Sequence, residues 1–416
     1  MSLRDTVVST AISAIESVLP EQAVREALSA RPVPEQGTVV LIAVGKAAWR
    51  MADAVYKTLC SRISRGCVIT KGGHSMGPIG KLEIFEAAHP VPEERNLEAT
   101  RRALSMVGGL QKDDTVLFLI SGGASALFEL PQPGVSLNDV SEMTAQLLAS
   151  GANIVEINTL RKRVSSVKAG RFALACRPAS VRAIVLSDVL GDRLDSIASG
   201  PAHPDPYGRE DALAVVEKYK LHLPRNVMEK LDVETPKSLD NVTTQITGSV
   251  SLLCQAANES LTRKGFSTVL LTTSLDCEAA SAGSFFAAIA REAVRTRKTR
   301  TSPLAFIAGG ETVVRLKGQG KGGRCQEIAL SASLGLRGLE GTVLAALGSD
   351  GTDGPTDAAG GIVDGSTAKK IRLCGLNPEA MLEDNDAYNA LKAAGDLFTT
   401  GPTGTNVNDL IVLAVE

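Results

Sequence analysis

Short apolar runs closed by glycine or a small polar residue alternate along this chain with stretches of helical periodicity. The clearest runs are Val39–Val44, Thr115–Ile120, Arg182–Leu186, Ser267–Leu271, Leu304–Ile307 and Thr342–Leu347. Most lead through glycine into a helical segment, which predicts βα units and largely parallel sheets, an α/β fold class. Ahead of the first run, Val7, Ile12, Ile15 and Val18 recur at helical spacing and predict an amphipathic first helix. The stretch Val233–Thr247 is polar, holds a proline and breaks the rhythm. A chain of 416 residues exceeds one ordinary core. The break near that stretch therefore predicts two domains, 1–240 and 241–416.

Composition narrows the possible partners. A formal net charge of −2 supplies no broad basic field, so neither nucleic acid nor an anionic membrane is expected, and any anion must be held locally. Seven cysteines without CxxC spacing argue against a disulfide framework or a zinc site. The reading they leave is reduced thiols in a cytoplasmic protein. The first residues lack the apolar core and cleavage site of a secretory signal, and no stretch is long and apolar enough to span a bilayer. Oligomeric state stays open between monomer and homodimer.

Candidate chemistry collects just after the strands. The turns read Gly45-Lys46, Ser121-Gly122-Gly123-Ala124-Ser125, Ser187-Asp188, Gly309-Gly310-Glu311, and Gly348 through Asp350 and Asp353 to Gly354. In a parallel sheet these positions share the carboxyl edge, where open α/β sheets bind ligands. Any one such turn is explained by the need for turn and cap residues. Charge repeated at several of them points to a site.

Lys46 opens a predicted helix, Ala47–Leu59, against the helix dipole, at a cost of about 0.3–1 kcal/mol that a bound anion would reverse. A lysine swinging into solvent is the competing reading. Gly122 and Gly123 leave amides open to phosphate, with the Ser121 and Ser125 hydroxyls as further donors. A predicted helix over 158–175 carries Asn158, Arg161, Ser165 and Lys168 on one polar stripe, either a solvated cationic face or a hold for carboxylate or phosphate. Asp188, Asp192, Glu311, Asp350, Asp353 and Asp357 add carboxylates; Asp353, beside Gly354, and Asp357, two residues past Pro355, are open to a plain turn role. Acids beside lysines and arginines are what Mg²⁺-assisted phosphoryl transfer needs. The run Gly318–Gly323 matches GxGxxG between a predicted strand, Glu311–Lys317, and a predicted helix, Arg324–Leu334. The acid that should end the next strand is missing, since Glu340 precedes that strand. The run therefore reads as a mobile phosphate-covering loop ending at Arg324. The four histidines form no cluster in sequence; His74 and His89 are open to orienting a loop or touching substrate.

These segments resemble the class II glycerate kinases, whose C-terminal part is named for the MOFRL motif. The matching blocks include VGKAAWRM (44–51), TKGGHS (70–75), HPVPEERN (89–96), ISGGASALFELP (120–131) and NTLRKRVSSVKAGR (158–171). Further on come LSDVLGDRLDSIASGP (186–201), AGGETVV (308–314), GGRCQEIAL (322–330), GSDGTDGPTDAAGG (348–361) and TGPTGTNVNDL (400–410). The resemblance implies ATP- and Mg²⁺-dependent phosphorylation of D-glycerate at the 2-hydroxyl. It also implies an N-terminal Rossmann-like domain, a C-terminal α/β domain with a MOFRL region over about 300–412, and a site in the cleft between them. Lys46 and Arg324 would act on the phosphoryl group, with Asp188 and Asp350 serving catalysis, metal and proton transfer. Binding roles fall to Gly45, Ser121, Gly122, Gly123, Ser125, Arg161, Lys168, Asp192, Glu311, Asp353 and Asn408. The chain departs from the family pattern at Glu93 and at Cys325, where an asparagine beside Arg324 is usual; the second bears on fine specificity. A nicotinamide-dependent hydroxypyruvate reductase, which would use the GxGxxG-like run, is the alternative function.

Overall fold

The structure, a computed structural model, describes residues 2–297 and 301–416. It divides into two compact units, Ala23–Thr247 on the one hand and Met1–Gln22 with Gly248–Glu416 on the other.

In the Ala23–Thr247 unit the strands are β1 (Val39–Val44), β2 (Ile63–Lys71), β3 (Glu83–Ala87), β4 (Thr115–Ile120), β5 (Ser180–Leu186) and β6 (Val242–Gly248), in the order β3-β2-β1-β4-β5-β6. β1 is buried throughout, as a strand covered on both faces must be. Its alternate residues enter different cores. Val40, Ile42 and Val44 pack with Phe118, Phe128 and Phe172, whereas Val39, Leu41 and Ala43 pack with Met51, Ala52 and Val55 of the helix Ala48–Leu59. β1 pairs in parallel with both β2 and β4, and the strand order reverses between β1 and β4, the switch point at which such sheets leave a crevice. The polar stretch read as an interruption contains β6, an outer strand whose half-buried polar residues give no apolar signal.

The helix expected over 158–175 is two helices, Ile154–Val164 and Arg171–Ala175. Between them the backbone turns aside to pair with Leu130–Gln132, through Gln132 N–H to Val164 O at 2.8 Å and Ser166 N–H to Leu130 O at 2.7 Å. Ala169 and Gly170 then take positive φ, which ends any helical continuation.

The second unit holds β7 (Ser267–Leu275), β8 (Leu304–Gly310), β9 (Thr342–Gly348), β10 (Gly360–Asp364), β11 (Leu397–Phe398) and β12 (Asp409–Val415), ordered β11-β10-β9-β12-β8-β7. Here the parallel expectation gives way: β12 lies between β8 and β9 and runs antiparallel to both, and β10 is antiparallel to β9. Among the described residues only β7 and β8 pair in parallel in this sheet. The strand expected over Glu311–Lys317 is a loop with a single bridge, Glu278 to Val313.

The first helix, Leu3–Ser17, is capped by Ser2 and Asp5 and belongs to this second unit, not to the domain that follows it in sequence. It packs on the helix Val250–Arg263. Lys264 Nζ donates to Ser9 Oγ and Thr10 Oγ1 at 2.9 and 2.8 Å, and Arg4 Nη2 reaches Asp396 Oδ1 at 2.8 Å. An amphipathic pattern shows that a face must be covered; it does not show which sheet covers it. Among the described residues no helix is long and apolar enough to cross a membrane.

Candidate active site

β1 and β4 end level, Val44 opposite Ile120, so the turns that follow lie side by side. Lys46 N–H donates to Gly122 O at 2.9 Å, Ser121 N–H to Val44 O at 3.0 Å, and Ala47 N–H to Ser121 Oγ at 3.0 Å. Gly45 sits at φ 122°, and a Cβ there would stand 2.2 Å from Ser121 Oγ, so glycine alone permits this approach. Ser121 is buried with its hydroxyl committed to the backbone entering the Ala48–Leu59 helix. It joins the two turns and is not the open donor its position promised.

Gly122 and Gly123 form the floor. A Cβ on Gly122 would lie 2.3 Å from Asp188 Oδ2, and one on Gly123 would lie 3.1 Å from His89 Nε2 and 3.3 Å from Lys46 Cε. A lysine, an imidazole and a carboxylate thus meet over two adjacent glycines. Lys46 is half-buried, not largely exposed as a free lysine would be, because its stem passes beside Gly123 and His89. Burial, and then the charges of Lys46, Lys71 and His74, push the His89 imidazole below its ordinary pKa, which favours the neutral ring. His74 Nδ1–H donates to Lys46 O at 3.2 Å. Sequence reasoning left His89 open to orienting a loop or touching substrate, and nothing in its spacing paired it with Lys46.

Arg161 and Lys168 serve this turn from behind. Lys168 is fully buried; its ammonium donates to Ser125 O at 2.8 Å and Phe128 O at 3.1 Å and pairs with Glu129 Oε2 at 3.1 Å. Burial lowers its pKa to about 8. Arg161 Nη2 lies 3.5 Å from Ser125 O and 3.7 Å from Glu129 Oε2. The Ser125 hydroxyl meets Ser199 Oγ at 3.1 Å, and Ser199 Oγ donates to Asn158 Oδ1 at 3.2 Å. At Lys168 the predicted polar stripe is therefore neither a solvated face nor an open anion hold but a brace, whereas Arg161 keeps its Nε without a hydrogen-bond partner. Asp192, at φ 52°, keeps one buried carboxylate oxygen, Oδ1, without a hydrogen-bond partner.

The second unit gathers charge where β8 and β9 end and β12 begins. Asp409 stands opposite Gly310 on one side and Gly348 on the other. Arg324, first residue of the helix Arg324–Leu336, donates from Nε to Asp409 Oδ2 at 2.6 Å, from Nη2 to Oδ1 at 3.0 Å and from Nη1 to Glu311 Oε1 at 2.8 Å. Burial works against the guanidinium charge, but Asp409 outweighs it and holds the Arg324 pKa above its usual range. Asp409 was missed in sequence; it heads an apolar run that was itself passed over. Asp353 is buried and caps the same helix, accepting from Cys325 N–H at 3.2 Å and Gln326 N–H at 2.8 Å. This leaves it a structural acid. Burial raises Asp353 to about 7 and Asp409 to about 6. The Cys325 thiol, buried beside Ile328 and Ala329, donates a hydrogen bond to the Asp409 carboxylate, so this departure from asparagine lies at the charged edge itself. Asp350 is half-buried, accepting from Thr352 N–H at 2.9 Å, and Asn408, at φ 65°, accepts from Ser349 N–H at 3.0 Å. Asp357 takes the Tyr388 hydroxyl at 2.7 Å.

The GxGxxG-like run is strapped down. The amides of Lys317 and Gly318 donate to Asn385 Oδ1, Gln319 to Asp384 Oδ1, Gly320 to Asp384 O, and Lys321 to Asp386 Oδ1. A Cβ at Gly318 or Gly320 would fall within 2.6 Å of this segment. The amides a phosphate would need are taken, so the expectation of a mobile phosphate-covering loop is corrected. Among the described residues no three His, Cys, Asp or Glu side chains converge as a ready metal site. Mg²⁺ more often takes one or two carboxylates together with substrate phosphates, and Asp188 over Gly122 and the unpartnered Asp192 oxygen suit that demand.

A doubly wound sheet with lysine and aspartate at its switch point, in a chain that also holds a second α/β unit with an arginine-carboxylate edge, marks an α/β enzyme of the phosphotransferase kind. Residues 6–232 match a domain family described as of unknown function (DUF4147), and residues 304–409 match the MOFRL family. The D-glycerate 2-kinase of Thermotoga maritima is 54% identical over 99% of this chain and 98% of its own. A crystal structure of glycerate kinase from that organism superposes with a TM-score of 0.96 at 53% identity, covering 100% of this chain and 99% of that one. A protein of Agrobacterium vitis bearing the name putative hydroxypyruvate reductase is 38% identical over 97% of this chain and 92% of its own. The chain belongs to the MOFRL family of glycerate kinases.

Proposed function

We propose that this chain transfers the γ-phosphoryl group of ATP to the 2-hydroxyl of D-glycerate, giving 2-phosphoglycerate and ADP. The observation that carries the reading is the meeting of Lys46, His89 and Asp188 over Gly122 and Gly123 at the switch point. The hydroxyl oxygen bonds to the γ-phosphorus while the bond from that phosphorus to the β,γ-bridging oxygen breaks, and ADP departs with the electron pair. Asp188 receives the hydroxyl proton, and Lys46 offsets anionic charge. Arg324 spends three of its five N–H donors on Asp409 and Glu311, and the remaining two are available to phosphate oxygens. Mg²⁺, when bound with the nucleotide, would neutralise its oxygens, and Asp188 over Gly122 would offer it a carboxylate.

³¹P NMR of the protein with ATP, Mg²⁺ and D-glycerate tests this directly. A 2-phosphoglycerate resonance is expected. A 3-phosphoglycerate resonance would keep the kinase and overturn the 2-hydroxyl, and no product from folded protein would overturn both. The name of the Agrobacterium vitis relative favours a reductase as second reading. The occupied amides of Lys317–Lys321 count against it, and loss of NADH absorbance with hydroxypyruvate would reinstate it.

A further inference from the structure

Among the described residues β7 is the outer strand of its sheet, bonded to β8 on one side only. Its nine residues, STVLLTTSL, include no charge and no proline, two devices by which proteins blunt an open edge. Bulges against β8 after Leu270 and Thr272 bend the strand, yet its outer edge stays bare of charge. Val269, Leu270 and Leu271 are 43%, 44% and 39% exposed, and Phe285 on the neighbouring helix Ala279–Arg295 is 60% exposed. Leu271, Leu275, Phe285, Phe286 and Ala308 line an apolar groove of about 270 Å³ beside the strand.

The charges at the two ends of β7 select the occupant. Arg263 and Lys264 precede the strand, and Asp276 and Glu278 follow it. Lys264 already donates to Ser9 and Thr10, whereas Arg263 is exposed and meets Glu259 only at 3.9 Å, so Arg263 is the freer cation. Two copies of β7 set antiparallel bring the basic end of each against the acidic end of the other; a parallel pair would set like against like. Lys264 and Glu278 lie equally far from Leu271, so a two-fold axis at Leu271 makes the edge complementary to itself. We propose that β7 pairs antiparallel with β7 of a second copy of this chain, continuing the sheet across a homodimer and covering the groove at Phe285.

Sedimentation equilibrium of the full chain over a wide concentration range reads the result. Wild-type protein is expected at twice the chain mass. Leu271→Lys, which sets two ammonium groups together at the axis, and Phe285→Glu, at an exposed helical position, are each expected to weaken the dimer at least tenfold while circular dichroism stays native. Leu271→Cys should form a disulfide between copies on mild oxidation that the wild type, with its own exposed Cys60, Cys277 and Cys374, does not form. A protein monomeric at every concentration overturns the proposal. So does a dimer that both variants leave unaltered, or one that Leu271→Cys fails to link.

Discussion

Arg324 and Asp409 are joined side-on by two hydrogen bonds, Nε to Oδ2 at 2.6 Å and Nη2 to Oδ1 at 3.0 Å, with the carboxylate almost fully buried. This clasp fixes the plane of the guanidinium and therefore the direction of its two unspent donors. Asp409→Asn keeps the shape and removes the charge. It should lower kcat roughly 10²-fold, as a misaimed catalytic group does, and leave the KM for glycerate within a few-fold. Steady-state kinetics with thermal melts decide the matter, and unaltered kcat in a folded variant would show that the clasp serves stability alone.

Lys46→Ala should reduce turnover by about 10²–10³, the usual cost of one preorganised charge at the reacting group, with an unchanged melting temperature. Lys46→Arg should not restore it, because Gly123 and His89 crowd the stem. A folded Lys46→Ala variant with near-normal rate would take Lys46 out of the mechanism.

Lys168 and Glu129 are a buried pair beneath the glycine turn, both about 1% exposed or less at the side chain. Lys168→Met should cost about 3–5 kcal/mol of stability by leaving the carboxylate unpaired. Replacing both residues by apolar ones should recover much of that loss. Urea denaturation of the single and double variants measures it; additive losses would mean the two residues do not act as a pair.

Burial raises Asp353 to about 7, above the value near 3.9 of an unfolded aspartate. The native state therefore holds the proton more tightly. The stability this contributes is present in full below about pH 4 and is lost as pH rises through 7. Asp353→Asn cannot titrate, so the stability of wild type relative to the variant should fall between pH 4 and 7 and level off above. Denaturant unfolding across that range reads the difference; a flat difference would place Asp353 ionised throughout.

Asn385→Ala removes the acceptor for two amides of the Arg315–Gly323 loop. Hydrogen exchange at Lys317–Lys321 should accelerate at least tenfold while the strand amides of β8 and β9 stay protected. Equal exchange in both proteins would mean the neighbouring aspartates hold the loop unaided.

The central strands were legible because burial on both faces writes an unbroken apolar run. β1 and β4 begin and end at the residues their sequences indicate, and Lys46 and Asp188 follow from what comes after such runs. Direction and pairing were not written in this way. β12 is as apolar as β9, yet nothing in DLIVLAV tells that it runs antiparallel between two parallel neighbours, and so Asp409 went unseen. The polar stripe on Ile154–Val164 and beyond shows the opposite failure. Lys168 looks solvated by composition and is buried by a backbone turn that only pairing with Leu130–Gln132 explains. The glycines at 318 and 320 resembled a phosphate turn, whereas they let one loop lie against Asp384 and Asp386.

The placement of Leu3–Ser17 has a consequence for biosynthesis. Leu3–Ser17 is synthesised ahead of Ala23–Thr247 yet belongs to the unit that follows them, so those residues are all made before its partners Val250–Arg263, β9 and β12 exist. That early segment must wait as an uncommitted amphipathic peptide while the intervening unit condenses. In a nascent chain stalled after Thr247, the amides of Leu3–Ser17 should exchange freely while those of β1 and β4 are already protected; early protection of the first helix would mean that it finds a transient shelter before its own unit is translated.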